Sequence, residues 1–248
     1  MIAQPELVLH GGDLRVAVLP FDDGELAGVR HRLLTCDIDV ALLWLVPDLA
    51  GAGQRDLPKV GAALSAAEHA RLGRIQHPRA RAEFLAGRLV IRHALARLCG
   101  TTPAAVDLHE SERGALSIPD SPWHFNLSHS DGLVVLAVAL RPVGVDVEYL
   151  ARVGRTVELA NRYFSPLEVA ALQALPEASR RDRFFALWTL KEAYIKARGL
   201  GLAVPLASFS FDFEPAPALT PAPDDPHRYR LFLADLGTEH RLAVVRVA

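Results

Sequence analysis

The chain has 248 residues, half of them apolar, and a formal net charge of −2 at pH 7. This composition excludes a disordered chain and argues against a general nucleic-acid binder. Its two cysteines are too few for a disulfide framework, and no apolar run reaches the roughly 20 residues that span a bilayer. We therefore expect a cytoplasmic globular protein without a membrane segment, and a length above ~150 residues favours two packed halves.

The N-terminal part of the chain predicts strands followed by helices. Apolar runs from Leu14 to Leu19 and from Val40 to Val46 are typical of strands. Ser65-Ala66-Ala67-Glu68 has the capping-box pattern that begins a helix. A second helix is predicted from about Arg79 to Leu98, and Gly100 is its predicted end.

These two helices carry a basic face. Seven arginines lie between Arg71 and Arg97, and Glu83 is the only acidic residue among them. A solvated helix face accounts for most of these arginines. As a group they are also a candidate phosphate site, because guanidinium groups bind phosphate oxygens in a bidentate manner.

The middle of the chain predicts the central strands. Phe125 to Ser130 alternates apolar and polar residues, and Gly132 to Val138 is almost continuously apolar. An Arg-Pro dipeptide then interrupts the pattern before Val143 to Val147 resumes it. We place the boundary between two halves at this break, giving an N-terminal half 1–141 and a C-terminal half 142–248.

The C-terminal part predicts helices and then strands. Ser165-Pro166-Leu167-Glu168 has the serine cap, the proline and the glutamate of a helix start. A longer helix should run from about Ser179 to Arg198 and end at Gly199-Leu200-Gly201-Leu202. The Pro-rich stretch from Pro215 to Pro226 predicts an exposed loop. Strands are predicted at Phe209 to Phe213, Tyr229 to Leu233 and Leu242 to Val247.

Asp146 and Glu148 are the first residues that indicate chemistry. Because they are two apart on a predicted strand, their carboxylates point to the same face and repel each other. A divalent cation with a preference for oxygen ligands, such as magnesium, would relieve that repulsion. A solvated face, or pairing with nearby arginines, would account for the same two residues.

Glu192 and Lys196 lie four residues apart on the predicted long helix. As a surface ion pair they would contribute only ~0.2–0.5 kcal/mol. The surrounding helix is unusually apolar for an exposed one, which indicates that the two charged residues line a cleft. Its large apolar residues are Phe184, Phe185, Leu187, Trp188, Leu190, Tyr194 and Ile195. Spacing alone does not establish a site here.

Three motifs in order resemble the 4′-phosphopantetheinyl transferases of the large surfactin-type class. They are Phe125 to Ser130, Gly144 to Glu148, and Trp188 to Lys196 followed by Gly199-Leu200-Gly201-Leu202. The resemblance covers about residues 65 to 213. It implies an α+β monomer of two similar halves with pseudo-twofold symmetry. Each half would be a small, mainly antiparallel sheet packed on helices, and the active site would lie in the cleft between them.

The resemblance also implies an activity. The enzyme would transfer the 4′-phosphopantetheine arm of coenzyme A to a serine of an apo acyl or peptidyl carrier protein, which is an acidic helical domain. Adenosine 3′,5′-bisphosphate would be released. Asp146, Glu148 and Glu192 match the family's ligands of magnesium, with manganese as an alternative, and the metal would bind the pyrophosphate. The expected partners are coenzyme A and the carrier protein, without nucleic acid or membrane.

Further roles follow from the same resemblance. Glu192, or a metal-bound water, is the candidate base, and Lys196 would stabilise the departing oxygen. Ser128 and His129 match positions that contact the nucleotide end of coenzyme A, near its 3′-phosphate. Glu168 is left out because helix capping explains it. The full expected coenzyme A set is Arg71, Arg81, Arg88, Ser128, His129, Asp146, Lys191 and Lys196, with both lysines at the pyrophosphate.

One motif departs from the family pattern. Gly114-Ala115-Leu116 stands where many members carry Gly-Lys-Pro, so a lysine contact to the cofactor is expected to be missing unless Arg113 replaces it. Two other classes of protein remain open. A different magnesium-dependent phosphotransferase or nucleotide pyrophosphatase would use the same carboxylates, and a catalytically silent carrier-binding module would have lost them.

Overall fold

The fold is known from a computed structural model. It describes residues 7–9, 14–15, 29–36 and 40–47 as strand backbone, and residues 61–111, 114–152, 154, 156–199, 204–213, 217–220 and 228–248 in full. The helices are α1 (Ala66–Arg74), α2 (Pro78–Cys99), α3 (Thr156–Tyr163), α4 (Pro166–Ala174) and α5 (Glu177–Ala197). Among these residues, no helix is both long enough and apolar enough to cross a membrane.

The strands form two main antiparallel sheets. Their bounds are β1 (Leu7–Leu9), β2 (Leu14–Arg15), β3 (Val29–Cys36), β4 (Val40–Pro47), β5 (His109–Glu110), β6 (Leu116–Ser117), β7 (His124–Ser130), β8 (Leu133–Ala139), β9 (Val143–Tyr149), β10 (Phe211–Asp212), β11 (Ala218–Leu219), β12 (Tyr229–Leu236) and β13 (His240–Val247). The first sheet has the order β2-β3-β4-β8-β7, and the second has the order β1-β12-β13-β9. The predicted α+β class with small antiparallel sheets is confirmed.

Strand β8 is buried on both faces, which explains its continuous apolar sequence. On one face, Val134 and Leu136 pack in a core with Ile91 of α2. On the other face, Val135 and Ala137 pack against strands of the second sheet. Because side chains alternate along a strand, a single apolar run serves two cores. The two sheets therefore lie face to face, with α2 on the outer side of the first.

Helix α5 covers the outer side of the second sheet. Ala243 and Val245 of β13 pack in a core with Tyr194 of α5, whereas Val244 between them faces the core shared with β8. Full burial of a large side chain such as Leu190 contributes about 1.5–3 kcal/mol. The order of layers is therefore α2, first sheet, second sheet and α5.

The predicted helix starts are confirmed. Ser65 accepts a hydrogen bond from the backbone N–H of Glu68 at 3.2 Å, and the Glu68 carboxylate accepts one from the Ser65 N–H at 2.7 Å. Ser165 and Glu168 form the same capping box at the start of α4. The predicted end of α2 at Gly100 is also confirmed, because this residue has a φ of 65°, which favours glycine.

Other boundaries differ from the prediction. Helix α5 begins at Glu177, two residues before the predicted start, and α3 has no counterpart in the prediction. The expectation of an exposed loop from Pro215 to Pro226 is wrong at Ala218–Leu219, which pairs with β10. Leu219 is buried in the core around α5, so its apolar side chain overrides the turn-forming prolines. Residues 215–216 and 221–226 lie outside the described residues, as do 16–19, 113 and 200–202.

Candidate functional site

The site forms where β9 lies directly against α5. Gly144 permits this approach, since a Cβ atom there would lie 2.1 Å from the Ala193 carbonyl oxygen and 2.3 Å from the Ala197 nitrogen. The absence of a side chain at this position therefore brings Asp146 on the strand beside Lys196 on the helix. The Gly144 to Glu148 motif thus has a packing role as well as a chemical one.

Asp146 and Lys196 form the centre of the site. The Lys196 ammonium donates to Asp146 Oδ1 at 2.6 Å and to the Val145 carbonyl at 3.1 Å. Ser128 donates to the same Asp146 Oδ1 at 2.9 Å. The other carboxylate oxygen, Asp146 Oδ2, is buried and has no hydrogen-bond partner among the described residues. An unsatisfied buried carboxylate oxygen is costly, so this atom marks a place for a ligand.

The charge of Asp146 affects the pKa of two further carboxylates, Glu148 and Glu192. Burial raises the pKa of Glu148 to about 7, and Asp146 adds to the rise. Arg152, Lys196 and a hydrogen bond from the Trp188 indole oppose it. Burial and then Asp146 also raise the pKa of Glu192, and Lys196 again opposes the rise. The carboxylates therefore lie in a low-dielectric region with an excess of negative charge.

The three predicted metal ligands fit a metal ion that is bound jointly by the protein and its substrate. They fit less well a metal ion that is bound by protein side chains alone. Within the described residues, no three His, Cys, Asp or Glu side chains are grouped so that they could hold a metal ion. Magnesium, however, usually binds one or two carboxylates together with water and substrate phosphates. The unpartnered Asp146 Oδ2 and the raised pKa of Glu148 and Glu192 fit a divalent cation bound in that way.

Two of the predicted arginines meet at one carboxylate. Arg71 and Arg88 bind the two oxygens of Glu110 at 2.7 Å and 2.8 Å, and both guanidinium groups lie about 5 Å from the Phe84 ring centre. Burial lowers the pKa of Arg88, while Glu110 raises it. Arg81 instead donates to the carbonyl of Leu72 at 2.6 Å. Arg71 and Arg88 thus form an anion-binding pair, and the anion bound there is the carboxylate of Glu110.

Ser128 and His129 point in opposite directions from β7. His129 is 53% exposed, and its Nδ1 lies 3.2 Å from the buried carboxylate of Glu83. That carboxylate also accepts a hydrogen bond from the Gly132 N–H at 2.9 Å. Ser128 is buried against Asp146. The structure therefore brings Ser128 to the carboxylate site and places His129 beside α2.

The structure does not bring Lys191 to this site. Its side chain is 0% exposed, and its ammonium lies 2.7 Å from Glu168. It also donates to the carbonyls of Leu206 at 2.7 Å and Phe209 at 2.6 Å. Adjacent residues on a helix point about 100° apart, so Glu192 can face the cleft while Lys191 faces the core. Glu168 consequently serves both as a helix cap and as the partner of a buried cation.

Sequence reasoning missed a row of hydrogen bonds between β7 and β9. Asn126 accepts from the Val145 N–H at 3.0 Å, and Ser130 accepts from the Tyr149 N–H at 3.1 Å. Ser128 lies between them and accepts from the Val147 N–H at 3.3 Å. We call these three β7 side chains the polar ladder. Their spacing of two residues was the available signal, because it places them on one face of the strand.

Comparison with known proteins agrees with the motifs. The model of the 4′-phosphopantetheinyl transferase superfamily matches residues 142–245. A 4′-phosphopantetheinyl transferase of Bacillus subtilis is 39% identical over 160 residues, covering 64% of this chain and 70% of that protein. The 4′-phosphopantetheinyl transferase HetI of Nostoc sp. is 38% identical over 175 residues, covering 68% and 73%. The 4′-phosphopantetheinyl transferase Sfp of Bacillus subtilis (strain 168) is 36% identical over 127 residues, covering 51% and 56%.

The antiparallel α+β fold places the buried Asp146 carboxylate beside the Lys196 ammonium at the site. With these relatives, the chain belongs to the 4′-phosphopantetheinyl transferase superfamily, in its Sfp-like class. It is therefore a transferase enzyme.

Proposed function

We propose that the protein transfers the 4′-phosphopantetheine arm of coenzyme A to a serine of an apo acyl or peptidyl carrier protein. The serine oxygen would form a bond to the phosphorus that carries pantetheine, and the bond from that phosphorus to the bridging oxygen would break. The serine proton would pass to a base, and adenosine 3′,5′-bisphosphate would be released. The observation that carries this proposal is the buried Asp146–Lys196 pair with its unpartnered carboxylate oxygen, in a chain of this superfamily.

Magnesium, or manganese in its place, would be held by Asp146, Glu148 and Glu192 together with the pyrophosphate. When bound, it would neutralise the charge that develops on the phosphate oxygens. Burial first, and then the negative charge of Asp146, raises the pKa of Glu148 and Glu192, and the Asp146 contribution supports this assignment. Lys196 opposes the rise in both.

Glu192 is the proposed base for the serine proton. Its raised pKa brings it closer to neutral pH, which suits a general base better than an ordinary glutamate. Lys196 would stabilise the departing oxygen through its ammonium group, which lies on the same helix four residues further along. Both roles use side chains that α5 directs toward β9.

The nucleotide end of coenzyme A would bind near α2. Arg71 is half exposed and could move from Glu110 to a phosphate, and His129 is exposed beside Glu83. Arg88 and Arg81 would support this region from within the fold. Because β7 of the N-terminal half meets β9 of the C-terminal half at Ser128, we place the substrate cleft between the two halves of a monomer. Their pseudo-twofold relation is part of the same proposal.

The test is intact-protein mass spectrometry of an apo carrier protein incubated with enzyme, coenzyme A and magnesium. A mass gain equal to one phosphopantetheine arm, dependent on metal and lost in Asp146→Asn, would support the proposal. Asp182→Asn, which alters a largely exposed carboxylate paired with Arg241, is a matched control and should retain transfer. Cleavage of coenzyme A without carrier would instead indicate a pyrophosphatase. Binding of carrier without transfer would indicate a silent module.

A further inference from the structure

The hydroxyl group of Ser128 joins three groups of the site. It donates to Asp146 Oδ1 at 2.9 Å and accepts from the Lys196 ammonium at 3.2 Å. It also accepts from the backbone N–H of Val147 at 3.3 Å. Ser128 and Asp146 are both buried, at 6% and 5% exposure. The buried hydroxyl therefore joins the β9 strand, the Asp146 carboxylate and the partly exposed Lys196 ammonium.

These three hydrogen bonds use the full capacity of a serine hydroxyl. A hydroxyl has one proton to donate and two lone pairs that accept. The proton of Ser128 goes to Asp146, and its lone pairs receive Lys196 and the Val147 N–H. A phosphate oxygen accepts hydrogen bonds, so it could bind Ser128 only by taking the proton away from Asp146. Contact with a nucleotide phosphate and the observed contact with Asp146 are thus mutually exclusive.

The position of Ser128 on β7 leads to the same conclusion. It belongs to the polar ladder, with Asn126 and Ser130 on the same face of the strand, and this face meets β9. His129, the neighbouring residue, points to the other face and contacts Glu83. Of the two residues, His129 is therefore the exposed one and the candidate for contact with the nucleotide end.

We infer that Ser128 is a positioning residue that fixes the Asp146–Lys196 pair, and not a contact of the nucleotide end of coenzyme A. This inference rests on the proposed function. It assigns the Phe125 to Ser130 motif two separate tasks, which are to build the carboxylate site through Ser128 and to present His129 to the cofactor. Without the Ser128 hydroxyl, Asp146 keeps only Lys196 of its two donors, and Lys196 loses one of its acceptors.

The experiment compares coenzyme A with dephospho-coenzyme A, which lacks the 3′-phosphate, in carrier modification by wild type and three variants. We expect Ser128→Ala to lower kcat/KM by about tenfold or more with both co-substrates, because a hydrogen bond to a charged group is lost. The preference for coenzyme A over dephospho-coenzyme A should stay as in wild type. His129→Ala should reduce that preference. Ser130→Ala is the matched control, because its ladder bond goes to the Tyr149 N–H, and it should retain activity.

Two results would overturn the inference. If Ser128→Ala abolishes the preference for coenzyme A, then Ser128 contacts the nucleotide. If Ser130→Ala is as impaired as Ser128→Ala, then the ladder acts only by joining the strands. Ser128→Thr, which keeps the hydroxyl, should recover part of the activity and distinguish loss of the hydrogen bond from general damage.

Failure of the proposed function is distinguishable from failure of this inference. If wild type modifies no carrier protein, the proposed function is wrong. Crystal structures of wild type and Ser128→Ala then decide the inference alone. A Lys196 ammonium that leaves Asp146 Oδ1 in the variant supports a positioning role, and an unchanged pair with the wild-type distance overturns it.

Discussion

The ammonium of Lys196 lies 2.6 Å from Asp146 Oδ1 and opposes the rise in the pKa of both Glu148 and Glu192. The positive charge of this single side chain of α5 thus partly compensates the negative charge of three carboxylates. Burial is the main cause of the raised pKa of Glu148 and Glu192, and the charge of Asp146 adds to it. A divalent cation near these three carboxylates would favour the ionised forms of Glu148 and Glu192, which burial and Asp146 disfavour.

Replacement of Lys196 should remove both its catalytic and its compensating charge. We expect Lys196→Met to lower the rate of arm transfer by about a hundredfold or more, since it removes the group that we propose stabilises the departing oxygen. Single-turnover transfer to an apo carrier protein measures this rate. Lys196→Arg keeps the positive charge but has a different shape, and it should recover only part of the rate. Transfer at the wild-type rate in Lys196→Met would exclude the proposed role.

Glu148 should make the stability of the metal-free protein depend on pH. Its pKa is raised from 4.5 to about 7 in the folded protein, so folding favours the protonated form. The stabilisation from this proton is fully present below pH 4.5 and is lost as pH rises through about 7. We expect the Tm of wild type, relative to Glu148→Gln, to fall across this window. Differential scanning calorimetry of both proteins tests it.

Magnesium should act in the opposite direction. A divalent cation stabilises the ionised carboxylates, so it should raise the Tm more above pH 7 than below pH 4.5. The Glu148→Gln protein should respond less. Equal magnesium shifts in both proteins at all pH values would mean that Glu148 does not take part in cation binding.

Local signals predicted most helices, but they did not predict which way the charged residues of α5 face. The capping boxes at Ser65 and Ser165 could be predicted from the sequence because all of their hydrogen-bond partners lie within three residues. By contrast, α5 is apolar around most of its surface, so no polar stripe distinguishes Lys191 in the core from Glu192 at the cleft.

The Ser128 hydrogen bonds were beyond sequence reasoning for a different reason. Alternation along β7 places Asn126, Ser128 and Ser130 on one face, but it does not reveal what that face meets. Asp146 lies 18 residues away along the chain and Lys196 lies 68 residues away. The packing of two sheets and a helix brings them together. Motif resemblance supplied candidate residues for the site, and only the fold supplied their contacts.

Gly144 should tolerate no side chain. A Cβ atom would lie 2.1 Å from the backbone oxygen of Ala193 and 2.9 Å from Cβ of Lys196, and helix backbone cannot yield cheaply. We expect Gly144→Ala to lower the free energy of unfolding by about 3 kcal/mol or more. Urea denaturation measures this change. Gly73→Ala is the control, since a Cβ there meets no described atom within 4 Å. This variant should leave the free energy of unfolding unchanged or raise it by at most about 1 kcal/mol.

Lys191 should behave as a buried structural cation. Lys191→Met leaves the Glu168 carboxylate buried without its ion-pair partner, so we expect a loss of about 3–5 kcal/mol in the free energy of unfolding. The double variant Lys191→Met/Glu168→Gln should recover part of that loss, because no uncompensated charge remains, although the amide oxygen can replace only one of the two carboxylate oxygens that accept from the Ser165 and Phe211 N–H groups. Guanidinium denaturation of the single and double variants gives the coupling. If Lys191→Met keeps full stability but binds coenzyme A more weakly, then Lys191 contacts the pyrophosphate and is not a structural cation.

Glu110 should compete with the phosphate of coenzyme A for two arginines. Its two oxygens bind Arg71 at 2.7 Å and Arg88 at 2.8 Å, in the way that a phosphate would bind them. A phosphate that uses this pair must first displace Glu110. We therefore expect Glu110→Gln to lower the KM for coenzyme A by up to about fivefold, the value of a partly exposed ion pair. Asp107→Asn removes an equal charge from an exposed position beside His109 and should leave KM unchanged. A higher KM in Glu110→Gln would show instead that this carboxylate holds the arginines in their binding positions.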